Sequence, residues 1–343
     1  MSRAQRAPAA ELPIGLLALD IDGTLVGEDL VLGERTRRAV AGALARGVRV
    51  SLVTGRMASS AMRFAVQLDL TEPIVAYQGG LIRAMPAASR IARWRGRPDE
   101  GVPPVGRLLR HRPLPGSVAR EAVEWSRAHG LDPHANHLER FILRADDPRA
   151  EDYSAFMGAR AELVPDLAAA MTHPITKVLA VSETPVPLSL LDLARRDFAG
   201  RADVTISHPR FLEFLAPGVS KGVALEWLAR RARVPVSRTM AVGDQWNDLE
   251  MLRTAGHGVA MPSAPAEVRA AARDLAPPVE EEGAARMIEA LILAEPREAA
   301  ANAERLAAEA LEAGRDAALG PDPAYDTTVD PSDERVPAAA AAR

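Results

Sequence analysis

Short apolar runs alternate with amphipathic segments along the first part of the chain. Residues 14–20 form an apolar run that ends in Asp-Ile-Asp-Gly-Thr, a pattern that predicts a buried strand followed by a turn. Two segments with helical spacing and two further apolar runs follow; they predict helices over 34–46 and 57–68 and strands over 48–53 and 73–77. Strand, helix, strand, helix, strand with short links indicates an α/β fold with a doubly wound, parallel, Rossmann-like sheet.

The pattern changes near residue 83, where Pro and Arg become frequent. We interpret residues 83–208 as an inserted α+β cap domain. Short β-like runs and helical stretches alternate here and just beyond; the β-like runs are 141–143, 175–181, 204–206 and 211–215, and the helical stretches are 117–128 and 187–196.

The buried-strand pattern returns after Pro217, and a helix is predicted to begin near Ser220. The following segments are predicted as a strand over 239–242, a helix over 246–254 and a strand over 258–260. The chain therefore divides into a core domain at 13–82 and 209–295, the cap, and a C-terminal segment at 296–343. Within that last segment we predict a helix over 297–316 and a disordered tail, because the remainder is rich in Pro, Asp and Ala.

Composition narrows the classes of function. The 343-residue chain has a formal net charge of -4 and no dense basic tract, which argues against nucleic acid or a membrane as a partner. It contains no cysteine, so disulfides and thiolate metal sites are excluded. No signal-peptide pattern occurs, and no apolar run reaches the ~18 residues that a membrane span needs. We therefore expect a cytoplasmic protein, and the sequence leaves its oligomeric state open.

Lysine is rare in this chain. Among 42 basic residues only Lys177 and Lys221 are lysine, and the two are not equivalent to arginine where a compact ammonium must touch a phosphate oxygen. Lys221 lies at a predicted helix start, where a positive charge opposes the helix dipole, which favours an anionic ligand or a carboxylate as its neighbour. Lys177 lies in an apolar strand of the insertion and is interpreted as an edge-strand charge.

Polar side chains follow several predicted strands of the core: Asp20 and Asp22, Thr54, and Asp244 with Asn247 and Asp248. Taken singly, the acids are typical of solvated or helix-capping groups, and Thr54 of a helix N-cap or of a hydroxyl that binds a phosphoryl oxygen. The carboxyl ends of parallel strands meet at one edge, so the four acids are expected to lie together. Such carboxylates repel one another unless a cation intervenes, and oxygen ligands favour Mg²⁺ over Zn²⁺.

Four motifs carry a family resemblance: Asp20-Ile-Asp22-Gly-Thr-Leu, Thr54-Gly-Arg, Ser-Lys221-Gly and Gly-Asp244-x-x-Asn247-Asp248. In this order they resemble the haloacid dehalogenase superfamily of phosphatases. Their spacing is similar to the Cof-type branch, which carries a large α/β cap between the second and third motifs. The resemblance spans residues 14–293. The third strand of that family usually ends in Asn-Gly-Ala, whereas this chain has Gln78-Gly-Gly, a departure that bears on contacts with the cap.

The resemblance implies a Mg²⁺-dependent phosphatase of a small phosphorylated metabolite, with sugar phosphates as the family-level expectation. It implies that Asp20 is the nucleophile, which forms an aspartyl-phosphate, and that Asp22 is the general acid and then the base. The implied phosphate-binding residues are Thr54, Gly55, Lys221 and Asn247. The implied metal ligands are the Asp20 carboxylate, the Asp22 backbone carbonyl and Asp244, with Asp248 orienting Lys221 or supporting the metal's water shell.

Asp22 favours a phosphatase over a carbon–halogen hydrolase, which needs no leaving-group acid at this position. A phosphotransferase or phosphomutase on the same core, and a non-catalytic phosphate-binding regulatory module, remain as alternatives. The cap is expected to close over the site and to contact the rest of the substrate. It also carries most of the histidines; His134 and His137, spaced by three, are interpreted as polar surface.

Overall fold

The computed structural model describes residues 13–95, 103–157 and 160–317. The strands in these residues are β1 (Leu16–Leu19), β2 (Arg49–Leu52), β3 (Ile74–Ala76), β4 (Leu81–Arg83), β5 (Leu108–His111), β6 (Asp132–His137), β7 (Arg140–Arg144), β8 (Ala161–Val164), β9 (Lys177–Val181), β10 (Asp203–His208), β11 (Phe211–Leu215), β12 (Thr239–Gly243), β13 (His257–Ala260) and β14 (Asp274–Leu275).

The α-helices of the same residues are α1 (Glu34–Ala45), α2 (Ala58–Gln67), α3 (Ala88–Arg95), α4 (Gly116–Ala128), α5 (Ala150–Met157), α6 (Leu167–Ala170), α7 (Leu188–Asp197), α8 (Lys221–Ala232), α9 (Leu249–Thr254), α10 (Ala266–Ala271), α11 (Gly283–Ile288) and α12 (Pro296–Ala317). Short 3₁₀ turns connect some of them, at Tyr77–Gly79, Val236–Arg238, Trp246–Asp248 and Val279–Glu281, and a π-helical turn covers Glu289–Leu293. None of the described helices is long and apolar enough to cross a membrane.

The central sheet has the order β14-β13-β12-β1-β2, and every neighbouring pair in it is parallel. All residues of β1, β12 and β13 are buried, which explains why these strands read as continuous apolar runs. Helices cover both faces: α1, α2 and α11 pack into one apolar cluster, and α8, α9 and α10 into another. The predicted doubly wound α/β fold is confirmed.

The third predicted strand has a different partner from the one expected. β3 touches the central sheet through a single bridge between Val53 and Val75, and it otherwise forms an antiparallel sheet with β4 and β5. The chain then enters the 3₁₀ turn Tyr77–Gly79. Tyr77 and Gln78 both have left-handed backbone geometry there, with φ of 50° and 58°. This turn directs the Gln78 side chain into the interior, where it is buried.

A separate six-stranded sheet has the order β10-β11-β9-β6-β7-β8 and is antiparallel except between β7 and β8. Helices α4 and α7 pack on one face of it around Phe198 and Phe214. Strand β11 belongs to this sheet although it lies beyond residue 208, where we expect the cap to end. The chain returns from β11 to the start of α8 within a few residues.

The C-terminal helix predicted over 297–316 is present as α12, and it packs on the core. Its residues Ala303 and Leu306 join the apolar cluster that contains α1 and α11. The tail that we predict to be disordered lies outside the described residues.

Candidate active site

The loop after β1 and the loop after β12 meet at the carboxyl edge of the central sheet. The backbone N–H of Asp20 donates to the carbonyl of Val242, 3.1 Å away. The Thr24 hydroxyl donates to Asp244 Oδ1 at 3.2 Å. Gly23 has a φ of 70°, and a Cβ at this position would clash with the Asp244 carboxylate, so glycine permits the close approach of the two loops.

Three of the predicted acids form a buried cluster. Carboxylate oxygens of Asp20, Asp244 and Asp248 lie within 4.8 Å of one another, and all three residues are buried. Burial raises the pKa of Asp20 to about 7, with Lys221 opposing the rise and Asp248 and Asp22 adding to it. Burial, and then the charges of Asp20 and Asp248, raise the pKa of Asp244 well above its ordinary value. Without a further positive charge, the surroundings therefore disfavour ionisation of all three carboxyls at once.

Lys221 is the cation of this cluster. It begins α8, whose N-cap Ser220 accepts a hydrogen bond from the backbone N–H of Val223. Its side chain is fully buried, with Nζ 2.7 Å from Asp248 Oδ1 and 2.9 Å from Asp20 Oδ1. Burial alone would lower the pKa of Lys221, but the two carboxylates raise it above its ordinary value, so the ammonium stays charged.

Asp248 also fixes the loop that carries Asp244. Its Oδ2 accepts the backbone N–H groups of Asp244 and Gln245, each at 3.1 Å, while Oδ1 accepts from Lys221. Both oxygens of Asp248 are therefore occupied by donors from the protein. This arrangement leaves Asp20 and Asp244 as the carboxylates of the cluster with oxygens available to a cation.

The donor set fits Mg²⁺. One ammonium among three buried carboxylates leaves negative charge uncompensated, and hard oxygen ligands are those that Mg²⁺ prefers. A divalent cation beside Asp20 and Asp244 would lower the pKa of both carboxyls again, because an opposite charge favours the ionised form. The residues that would hold it are Asp20 and Asp244, with the backbone carbonyl of Asp22 as the further predicted ligand.

The Asp22 side chain lies outside this cluster. Its carboxylate is bound on both oxygens by the Arg56 guanidinium: Nε donates to Oδ2 at 2.7 Å, and Nη2 donates to Oδ1. Arg56 is buried and also donates to Ser60 Oγ at 3.2 Å. About half of the Asp22 side chain is exposed, so one carboxylate of the pair of predicted catalytic acids is buried and the other is accessible.

Thr54 and Gly55 lie on the loop between β2 and α2. Thr54 is buried, and its Oγ1 accepts the backbone N–H of Arg56 at 3.2 Å. Helix α2 begins at Ala58 after Met57, so Thr54 is not its N-cap. The carbonyl of Gly55 accepts a hydrogen bond from Lys177 at 3.1 Å.

A buried polar network connects these core loops with the six-stranded sheet, called the second sheet below. The Asn247 amide donates to Gln78 Oε1 at 2.8 Å, and Gln78 Nε2 donates to Glu213 Oε2 at 3.0 Å. Glu213 Oε1 in turn lies 2.6 Å from Lys177 Nζ. Both ends of that ion pair are buried, at 4% and 2% side-chain exposure. Asn247 Oδ1 is buried and makes no hydrogen bond within the described residues.

Two interpretations of the sequence are wrong here. Lys177 is not an edge-strand charge, because β9 lies between β11 and β6 in the middle of its sheet. His134 is not polar surface: it lies on β6 and is 1% exposed, whereas His137 is half-buried. Arg56 and Glu213 were not among the predicted site residues. Arg56 lies in the Thr-Gly-Arg motif, and Glu213 is an acidic residue within an apolar strand, so the sequence contains a signal for each.

Together these features define a class of protein: an α/β enzyme with a carboxylate cluster and a buried lysine at the edge of its parallel sheet, and with a second α/β unit inserted in the chain. Residues 17–93 and 103–288 match the model of the haloacid dehalogenase-like hydrolases, and the chain belongs to this family. The predicted superfamily and the prediction of a hydrolase are confirmed.

Relatives with assigned names support this membership. The chain is 30% identical over 284 residues to the 5-amino-6-(5-phospho-D-ribitylamino)uracil phosphatase YitU of Bacillus subtilis, which covers 80% of this chain and 96% of the relative. It is 31% identical over 258 residues to the HMP-PP phosphatase of Serratia proteamaculans, covering 73% and 84%. A crystal structure of a haloacid dehalogenase-like hydrolase from Bacteroides thetaiotaomicron matches with a TM-score of 0.64 and 25% identity, covering 80% and 98%.

Proposed function

We propose that this hydrolase is a Mg²⁺-dependent phosphatase that acts on a small phosphorylated metabolite through a phosphoenzyme on Asp20. One observation carries the proposal: Asp20 and Asp244, more than two hundred positions apart in the chain, lie in one buried cluster beside the ammonium of Lys221. The relatives named above are phosphatases, which supports the same reaction class for this chain.

The first step is attack by a carboxylate oxygen of Asp20 on phosphorus. Lys221, the Thr54 hydroxyl, the Gly55 loop and the Asn247 amide would bind the phosphoryl oxygens and hold the group in line. Bound Mg²⁺ would screen the repulsion between the carboxylate and the anionic phosphate. As the bond from phosphorus to the leaving oxygen breaks, Asp22 would give that oxygen a proton.

The second step returns Asp20 to its starting state. Asp22, now ionised, takes a proton from a water molecule, and the water oxygen attacks the phosphorus of the aspartyl-phosphate. The acyl phosphate bond breaks, inorganic phosphate leaves, and the Asp20 carboxylate is regenerated. The half-exposed position of Asp22 suits this role, because the side chain must reach both the leaving group and a water molecule.

The second sheet would contact the part of the substrate other than its phosphate group. Its strands β9 and β11 already reach the core loops through Lys177 and Glu213. We propose the substrate class of the named relatives, small phosphorylated metabolites, with a sugar or sugar-like group on the phosphate, and a cytoplasmic location for the reaction.

The test is release of inorganic phosphate from an aryl phosphate by the full-length chain. We expect turnover that requires Mg²⁺, stops on addition of EDTA, and falls at least ~10³-fold in Asp20→Asn, since that variant lacks the nucleophile. Asp192→Asn, on the exposed side of α7, is the matched control and should retain full activity.

Three outcomes contradict the proposal in different ways. Normal turnover of Asp20→Asn would exclude this residue as the nucleophile. Transfer of the phosphoryl group to a second sugar without release of phosphate would identify a phosphotransferase or phosphomutase. Binding of phosphorylated ligands without turnover on a wide panel of phosphorylated sugars, nucleotides and cofactors would identify a regulatory module.

A further inference from the structure

A second cluster of metal-ligating groups lies in the six-stranded sheet, away from the carboxylate cluster. It consists of Asp132 and His134 on β6 and Asp147 in the turn between β7 and α5. One donor atom from each residue lies within 4.8 Å of the others. His134 Nε2 is 3.4 Å from Asp132 Oδ2 and 3.6 Å from Asp147 Oδ2.

The His134 ring is buried without a hydrogen-bond partner. Its residue is 1% exposed, and neither ring nitrogen makes a hydrogen bond to any part of the chain that the structure describes. Buried polar groups are normally paired, so an imidazole that faces two carboxylates at these distances requires an explanation. A direct N–H···O bond would bring the atoms to about 2.7–3.2 Å, which is shorter than either distance.

The same distances suit a shared cation. Zn²⁺ binds imidazole nitrogen and carboxylate oxygen at about 2.0–2.2 Å in a tetrahedral arrangement, which places neighbouring donor atoms about 3.3 Å apart. The separations of 3.4 and 3.6 Å around His134 Nε2 are close to that value. An imidazole ligand also distinguishes this cluster from the all-oxygen set at Asp20, and it selects against Mg²⁺.

We propose that Asp132, His134 and Asp147 form a binding site for a divalent transition metal of the Zn²⁺ type, with a fourth position open to water. The site would tie β6 to the turn that precedes α5. It rests on residues of the second sheet and of the turn after β7, and it does not depend on the proposed phosphatase reaction.

The ligands are held in place by their neighbours. The His134 ring packs edge-on against Tyr153, with centroids 4.2 Å apart, and against Phe141 at 5.5 Å. Asp147 Oδ1 accepts the backbone N–H of Arg149 at 2.9 Å, which leaves Oδ2 directed towards His134. The preorganised ring and carboxylate reduce the ordering that metal binding would require.

Arg149 is the competing cation. Its Nη2 donates to Asp132 Oδ2 at 2.7 Å, the same oxygen that faces His134. The Arg149 side chain is 40% exposed and lies at the edge of a surface cavity of about 230 Å³ that Asp132 and Asp147 also line. It can therefore move into solvent when an ion enters, and its removal should favour the metal.

The experiment measures Zn²⁺ binding to tag-free, full-length protein in excess Mg²⁺, by competition with a chromogenic chelator. Asp244→Asn serves as the parent, so that the carboxylate cluster of the core is weakened as a second Zn²⁺ site. We expect one Zn²⁺ per chain in this parent, loss of binding in His134→Ala, affinity at least about tenfold weaker in Asp147→Asn, and tighter binding in Arg149→Gln.

His129→Ala is the control, because His129 is an exposed histidine of the same region. Its affinity should equal that of the parent. If His134→Ala fails to fold, Asp147→Asn still decides the question, since its amide preserves the side-chain volume and the bond from the Arg149 N–H. Zn²⁺ affinity unchanged in Asp147→Asn, or no stoichiometric Zn²⁺ in the parent, would overturn the proposal. Neither outcome would contradict the proposed phosphatase reaction, which is tested separately.

Discussion

Arg56 binds both oxygens of the Asp22 carboxylate and at the same time touches the side chains of Ser60 and Phe64. A planar guanidinium held in this way fixes the position of its carboxylate, which lysine could not do in the same geometry. A carboxyl group that donates a proton to a leaving group cannot keep both of these hydrogen bonds. We therefore infer that Arg56 positions Asp22 and releases one oxygen during the proposed reaction.

The role of Asp22 can be separated from that of the metal ligands. Asp22→Asn should lower kcat by about 10²–10⁴-fold, because general acid and base catalysis contributes that much. Its Mg²⁺ affinity should remain close to that of the unchanged protein, since the Asp22 side chain lies outside the carboxylate cluster. Steady-state kinetics and calorimetric titration with Mg²⁺ give the two values.

Asp244→Asn provides the contrast, with weakened Mg²⁺ binding expected. Full turnover of Asp22→Asn would remove the acid and base role, and loss of Mg²⁺ binding in that variant would place its side chain on the metal.

Among the residues expected to lie together, three acids and Lys221 do so, but the Asp22 carboxylate lies on Arg56 instead. Asp20, Asp244, Asp248 and Lys221 follow buried strands or begin a helix, so their meeting follows from the topology of a parallel sheet. The two hydrogen bonds from Arg56 to Asp22 depend on side-chain directions, which the spacing of residues in the chain does not predict.

Strands β9 and β11 are antiparallel neighbours in the middle of the second sheet, and they carry a buried ion pair. Lys177 and Glu213 project from them towards the core loops at Gly55 and Gln78. Removing one partner of such a pair leaves the other charge buried and uncompensated, which is more harmful than removing both. The pair is therefore expected to fix how the two strands contact the core.

Glu213→Gln should lower the free energy of unfolding by about 3 kcal/mol, because Lys177 would lose its counter-charge in a buried position. Urea unfolding followed by circular dichroism measures the change. The double variant Lys177→Met/Glu213→Gln should be less destabilised than the sum of the two single variants, and additive effects would show that the ion pair contributes no coupling.

Elements with continuous apolar runs were predictable, and the polar ones were not. The strands β1, β12 and β13 are buried on both faces, and their apolar runs predict them. β6 reads Asp-Pro-His-Ala-Asn-His, yet it is an inner strand that pairs with β9 and β7. Its His134 and Asn136 side chains are buried, which a polar pattern does not predict. The predicted helix over 246–254 begins with the 3₁₀ turn Trp246–Asp248 and continues as α9.

At the scale of the whole molecule, the C-terminal helix α12 belongs to the structural core. One side of it, including Ala303 and Leu306, is buried against the layer formed by α1 and α11. Leu311, one turn and a half further on, is 51% exposed. The helix therefore stabilises the core through one face, as is usual for an amphipathic surface helix.

This packing predicts a difference between two leucines of one helix. Leu306→Ala should destabilise the protein by about 2–4 kcal/mol, because it removes buried methyl groups and leaves a cavity. Leu311→Ala should change stability by less than about 0.5 kcal/mol. Thermal and urea unfolding of both variants test the prediction, and equal effects would show that α12 does not pack as described.

The change in rhythm near residue 83 predicts an inserted unit, but the elements directly after it stay with the core: β5 pairs with β4, and Ile91 and Trp94 pack against the apolar cluster of α1 and α11. The point of return to the core was not predictable either, because β11 is apolar and its sequence fits either sheet. Which sheet it joins is decided by pairing with β9 and β10, at long range in the chain.

The scarcity of lysine has a practical consequence for chemical modification. Lys177 and Lys221 are the chain's lysines, at 3% and 0% exposure, and each is paired with a carboxylate. An acylating reagent directed at side-chain amines finds neither of them accessible in the folded protein. Acylation of either one would therefore report transient opening of the interior. Reaction at Lys177 would indicate separation of the second sheet from the core loops, and reaction at Lys221 would indicate exposure of the carboxylate cluster.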